Sequence, residues 1–298
     1  MKICSLMLAC TLLLFSKVFA QDQQAGAGIK NIVFIAGPDS HGKGEHEHKG
    51  GSTLLAKALN DSLPGVHAVV VHNGWPKDPA ELNDADAIVL YGDGGGDHMV
   101  IPHLKELDEA MKKGAGLVVL HFALEVPQGE AGNYFLNWIG GYFEINWSVN
   151  PVWEAGFSTY PGHPVASGIK PFSISDEWYY HFRFAENKKN ITPILQALPP
   201  ESTLNRPDGT HSNNPYVKES VMVKKEPQTV AWAFDRPDGG RGFGFSGGHI
   251  HNNWQNDNFR KLVLNAIAWT AKINVPENGI RSVTPTQNEL DDLSKKVN

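Results

Sequence analysis

The sequence predicts an α/β protein built on a doubly wound, mainly parallel sheet flanked by helices, with β and loop excursions added in its second half. Three observations predict it. Short β-branched runs recur along the first half, segments with apolar residues at helical spacing alternate with them, and histidines gather just after the predicted strands. Right-handed crossovers would bring the loops after those strands to one edge of the sheet, where open α/β sheets keep their binding crevice.

Residues 31–37 (NIVFIAG) are a continuous β-branched run ending in Gly37, the pattern of a strand buried on both faces. A polar loop covers 38–48, and Leu54, Leu55, Ala58 and Leu59 give helical spacing over 52–63. Residues 67–71 predict a second strand and 87–91 (AIVLY) a third, which runs into the glycine-rich loop 92–97. A helix over 101–113 and a fourth strand over 116–121 (GLVVLH) complete the regular part. The middle is less regular. Residues 133–143 are rich in aromatics and glycine, 151–164 mix Trp153 with turn residues, and 172–184 (FSISDEWYYHFRF) have strong β and aromatic character. Segment 198–216, with Pro199, Pro200, Pro207 and Gly209, reads as a polar excursion over the surface. Strands over 229–234 and 242–246 flank a tight return at 236–241 (RPDGGR), and Phe259, Leu262, Val263, Ala266, Ile267 and Trp269 mark a closing helix over 258–273.

The chain opens on Met1-Lys2, continues with an apolar run over 3–15 and reaches Val18-Phe19-Ala20. A charged start, a short apolar stretch and a small residue at the cleavage position predict a signal peptide over 1–20 and hence a periplasmic or secreted protein. The expected organisation continues with a disordered lead-in at 21–29, a single α/β domain at 30–275 and a loose polar tail at 276–298. Cys4 and Cys10 both lie in the predicted signal, so the mature chain would have no disulfide, no thiolate nucleophile and no cysteine-bound zinc. A net charge of −6 without a basic block argues against a nucleic-acid partner. Beyond residue 20 no apolar run is long enough to span a membrane. Gly42 and Gly44 lack the phosphate-loop spacing, and no nucleotide cofactor is expected. Nothing in the sequence fixes an oligomeric state.

Three constellations could carry chemistry. Segment 40–48 (SHGKGEHEH) brings His41, Glu45, His46 and His48 together, enough to ligate a metal or pair an acid with a base, although a solvated loop would look the same. His121 closes the fourth strand with Glu125 four residues on; the plain alternative is a core histidine donating to a carbonyl. Segment 246–254 (SGGHIHNNW) carries His249 and His251, which would point one way if extended. Asp93, Asp97 and His98, and likewise Asp176, Glu177 and His181, are weaker candidates. Trp153, Trp178 and Trp254 have flat faces suited to a sugar but are more often core. His67, His72, His103, His163 and His211 read as ordinary surface or packing residues.

These segments together resemble the ThuA-like (trehalose-utilisation) family, whose flavodoxin-like fold is similar to that of class I glutamine amidotransferases. The likeness rests on the first strand with SHGKGEHEH, on LHFALEVP (120–127), on His163-Pro164, on TVAWAF (229–234) and on GRGFGFSGGHIHNNW leading into the last helix. It covers roughly residues 30–273, and its closing segment is its most specific part. The amidotransferase activity does not follow, because those enzymes need a cysteine after the central strand, where His121 stands here. The family's link to trehalose and related disaccharides, 3-keto derivatives included, implies a small carbohydrate as substrate.

The expectation is therefore a secreted carbohydrate-active enzyme, assisted by one divalent metal ion, that hydrolyses, eliminates or isomerises a glycoside or 3-keto-sugar. His46, His48, His249 and His251 would hold the metal, and His121, Glu125 and Glu45 would carry protons. His41, Asp93, Trp153, Asp176, Trp178 and Trp254 would line the substrate. The competing expectation is a non-catalytic carbohydrate-binding protein of the cell envelope, which needs aromatic platforms and no preorganised charge cluster. The mutual distance of the histidines separates the two.

Overall fold

The structure, a computed structural model, describes residues 28–295. The predicted signal peptide and most of the lead-in lie outside the described residues. In chain order the elements are β1 (Lys30–Ala36), α1 (His48–Ser62), β2 (Val66–His72), β3 (Ala87–Tyr91), α2 (Leu104–Lys112), β4 (Gly116–Leu120) and α3 (Glu130–Trp138). There follow β5 (Gly141–Tyr142), β6 (Trp153–Phe157), β7 (Phe172–Asp176), β8 (Arg183–Phe184), β9 (Ile191–Ala197) and α4 (Pro215–Lys218). The chain closes with β10 (Gln228–Asp235), β11 (Arg241–Phe245), α5 (Asp257–Thr270) and α6 (Gln287–Lys295).

Seven strands form the central sheet in the order β2-β1-β3-β4-β11-β10-β9. Strands β1 to β4 and β11 are parallel, and β10 runs against both of its neighbours. This is the mainly parallel, flavodoxin-like arrangement the sequence predicts. Each central strand is buried on both faces because alternate side chains feed two cores. Ile32 and Phe34 pack with Leu55, Leu59 and the apolar stripe of α5, whereas Val33 and Ile35 pack with Leu107, Met111 and Phe135 on the other side.

Three departures from the sequence reading have physical causes. Helix α1 begins at His48 rather than 52, because Gly50 and Gly51 hide its first turn from any propensity argument. Gly51 is there for space: a Cβ would lie 2.6 Å from the Tyr91 ring. Strand β9 escapes notice because it contains Pro193, and it forms because it is an edge strand, pairing with β10 alone. The tail expected to be loose folds into α6, whose Leu290 is buried in the core with Leu55 and Leu59.

Among the described residues, no helix is long and apolar enough to cross a membrane.

Candidate functional site

The loops after β1, β3, β4 and β11 meet at the C-terminal edge of the sheet, where the strand order reverses between β1 and β3. Four side chains converge there. His46, His121, Glu177 and His249 each offer a ligand atom, and those atoms all lie within 4.8 Å of one another. His46 Nε2 and His121 Nε2 are 3.0 Å apart, His121 Nε2 is 3.5 Å from Glu177 Oε2, and His249 Nδ1 is 3.2 Å from the same oxygen.

The backbone places these groups at some cost. His46 and His121 both have left-handed φ, 44° and 54°, a conformation non-glycine residues rarely hold unless the surroundings impose it. His46 is tied by its own N–H to the His249 carbonyl at 3.1 Å, so the first and last loops are stitched together. Asp176 sets the last loop: its buried carboxylate accepts the N–H groups of Gly248 at 2.9 Å and His249 at 3.1 Å, and the amide of Asn253 at 3.0 Å. Asp176 closes β7 and turns to that backbone, while Glu177, the first residue past the strand, turns to the imidazoles.

The tautomers are fixed from behind. His46 Nδ1–H donates to Asp93 Oδ1 at 3.0 Å, and His121 Nδ1–H donates to the Ser246 carbonyl at 2.8 Å. Burial, outweighing the Asp93 hydrogen bond, lowers the His46 pKa to about 4, so its ring is neutral at pH 7. With Nδ1 as its donor, His46 presents the lone pair of Nε2 to His121 Nε2, 3.0 Å away. Burial works to raise the Glu177 carboxyl, but hydrogen bonds and charge from His121 and His249 prevail and bring it to about 2. Burial opposes a charge on His249, and Glu177 outweighs it to raise that pKa.

These residues fit a divalent ion. Metal–nitrogen bonds of about 2.0–2.1 Å in tetrahedral geometry put neighbouring ligand atoms about 3.3 Å apart; three of the pairs here stand at 3.0, 3.2 and 3.5 Å, and all lie within 4.8 Å. Imidazoles oriented by a carboxylate and a carbonyl, beside an ionised carboxylate, are the donor set and the outer support such ions require.

The remaining predicted residues are distributed differently. His41 is exposed at the mouth, its ring 5.8 Å from that of His249. Glu45 is half-exposed with Oε1 3.7 Å from His249 Nε2. Several assignments need correction. His48 lies outside the four-group centre: it opens α1, donates from Nδ1 to the Pro38 carbonyl at 2.8 Å and keeps Nε2 3.8 Å from Asp93. His251 is turned away from His249, because a 3₁₀ turn over His251–Gln255 replaces the extended backbone a His-x-His pair needs, and it faces Glu47 at 3.6 Å. Asp176 is fully buried and orients backbone groups, whereas Asp93 orients His46 and keeps a side chain 42% exposed. Trp153, Trp178 and Trp254 are buried in the core. Glu125 is enclosed and holds His211.

Sequence reasoning ranked Glu177 low and passed over His211. A carboxylate after a short antiparallel strand carries no local signal, and the partner of His211 lies 86 positions away. His98 and His181, the weaker candidates, donate to the Ala123 and Trp147 carbonyls and serve the packing.

The family model described as ThuA, trehalose utilisation, matches residues 39–270. Among solved structures, a ThuA-like protein from Bacteroides uniformis ATCC 8492 is 16% identical with a TM-score of 0.57, over 83% of this chain and 94% of that one. A ThuA-like protein from Parabacteroides merdae ATCC 43184 is 15% identical with a TM-score of 0.52, over 87% of this chain and 98% of that one. No curated protein matches the chain.

Proposed function

The chain belongs to the ThuA, trehalose-utilisation, family, and on that premise we propose that it is a secreted carbohydrate-active enzyme acting on a glycoside or 3-keto-sugar with the help of one divalent ion. The ligands are His46, His121, Glu177 and His249. One observation carries the reading: the Nε2 atoms of His46 and His121 are held 3.0 Å apart by acceptors behind both rings.

A divalent ion bound there supplies Lewis acidity, which polarises a sugar carbonyl or hydroxyl and acidifies the adjacent C–H or a water. The chain's own residues do the rest. Asp93 and the Ser246 carbonyl hold the two rings with Nδ1 outward and Nε2 toward the centre. Glu45, half-exposed and beside His249, is placed to take a proton at Oε1 from the substrate's side of the site. His41 stands at the entrance, where a sugar hydroxyl can meet it. Hydrolysis, elimination and isomerisation all use this machinery. The reading as a carbohydrate-binding protein loses its main support, since Trp153, Trp178 and Trp254 offer no face to a ligand.

The test is elemental mass spectrometry of the purified mature protein beside a His121→Ala/His249→Ala double variant, followed by assays on 3-keto-trehalose and aryl 3-keto-glucosides. A near-stoichiometric ion that vanishes in the variant, with turnover by the parent, is expected. No ion after incubation with Mn, Co, Ni and Zn salts would sink the metal-assisted reading.

A further inference from the structure

The excursion over 198–216 is more than surface. Its His211 reaches Glu125, with Nε2 3.0 Å from both carboxylate oxygens. Glu125 is 4% exposed, and a carboxylate so enclosed is costly without a cationic partner. The excursion is pinned for this contact: Asn146 N–H donates to the Thr210 carbonyl at 2.7 Å and Asn150 N–H to the His211 carbonyl at 3.0 Å. The His211 ring stacks on Phe143 at 5.6 Å, Phe143 packs on Tyr179 at 5.2 Å, and Tyr179 lies 4.6 Å from the His121 ring. A row of four rings thus runs from the four-group centre to His211. The His211 side chain is 37% exposed. The Glu125 hydrogen bond, outweighing burial, raises the His211 pKa and so keeps its acid form populated nearer neutrality.

We propose that His211, positioned by Glu125, is the general acid that protonates the leaving oxygen of a glycoside bound at the four-group centre. This inference rests on the function proposed above. Nε2–H stays on Glu125, and the proton given up is the one on Nδ1, which faces Thr210 Oγ1 at 2.9 Å when no substrate is bound. The glycosidic C1–O bond breaks with its electron pair on the oxygen, which takes the imidazolium proton. In hydrolysis the electron pair at C1 comes from an attacking water, whose proton goes to a base such as Glu45. In elimination it comes from the C2–H bond, whose proton goes to that base. His211 is then reprotonated from solvent.

The experiment compares two probes, methyl 3-keto-β-glucoside and p-nitrophenyl 3-keto-β-glucoside, turned over by the parent and by His211→Gln in the metal-loaded mature chain. An alkoxide cannot leave unassisted and p-nitrophenolate can. General-acid loss therefore predicts a fall in kcat of about 10²-fold or more on the methyl glycoside and less than about tenfold on the nitrophenyl one. If His211→Gln does not fold by circular dichroism, Glu125→Gln gives the same comparison. Equal losses on both probes, or no loss on either, would overturn the assignment while leaving the proposed function standing. A parent that turns over neither probe would overturn both.

Discussion

The Nε2 atoms of His46 and His121 face each other across 3.0 Å, while the Nδ1 atom of each ring is committed to an acceptor on its far side. Neither ring can turn away without losing that hydrogen bond inside the protein. The pair is preorganised, and everything else at the site is arranged around it.

Asp93 is the outer support of this arrangement, bound by His46 Nδ1 and by Ser40 Oγ at 2.8 Å. Asp93→Ala frees the His46 ring and lets the wrong nitrogen carry the proton. Zinc affinity, measured by competition with a chelator, is expected to fall roughly 10–100-fold with the fold intact. Unchanged affinity would show that the tautomer of His46 is set elsewhere.

Asp176 supports the last loop. Asp176→Ala leaves the N–H groups of Gly248 and His249 buried without acceptors. At about 1–3 kcal/mol for each orphaned donor, a loss of roughly 2–6 kcal/mol is expected in urea denaturation. His249 should be misplaced as well, so that metal binding weakens in step. A variant of parental stability would mean that water replaces the carboxylate.

His98 gives the clearest pH dependence, because both its nitrogens are used in the neutral form. Nε2–H donates to the Ala123 carbonyl and Nδ1 accepts from Val100 N–H, each at 3.0 Å. Burial, against the Ala123 hydrogen bond, lowers its pKa from 6.5 to about 4. As pH falls through 6.5 the unfolded chain binds this proton and the folded chain does not. The stabilisation is complete above 6.5 and is lost progressively down to about 4. His46 and His48 follow the same course, each lowered to about 4 chiefly by burial. The urea midpoint should therefore fall between pH 6.5 and 4, and His98→Asn should make that slope shallower. An unchanged slope would assign acid sensitivity to other groups.

Gly94 lets the loop after β3 lie against the turn after β4. A Cβ there would stand 2.1 Å from the Phe122 carbonyl oxygen and 2.9 Å from Glu125 Cβ. Backbone cannot give way as a side chain tip does, so Gly94→Ala should cost about 1–3 kcal/mol in thermal or urea unfolding. A neutral result would mean that the two loops separate freely.

The sheet was legible in the sequence because strands buried on both faces must be unbroken apolar runs, as 87–91 and 116–120 are. The same rule could not find β9, whose Pro193 is permitted only by an edge position that exists once β10 is in place. The sequence determined by itself which loops would meet, since parallel strands with right-handed crossovers leave their C-terminal ends on one side. His46, His121 and His249 were found on that ground. Only the tertiary structure decided which neighbours within those loops share the centre. A 3₁₀ turn sends His251 away from His249, the start of α1 takes His48 into the helix, and the end of β7 gives Asp176 to the backbone and the next residue, Glu177, to the imidazoles. Such choices depend on local backbone direction and on partners such as Glu125 and His211, 86 positions apart, which no nearby pattern in a sequence records.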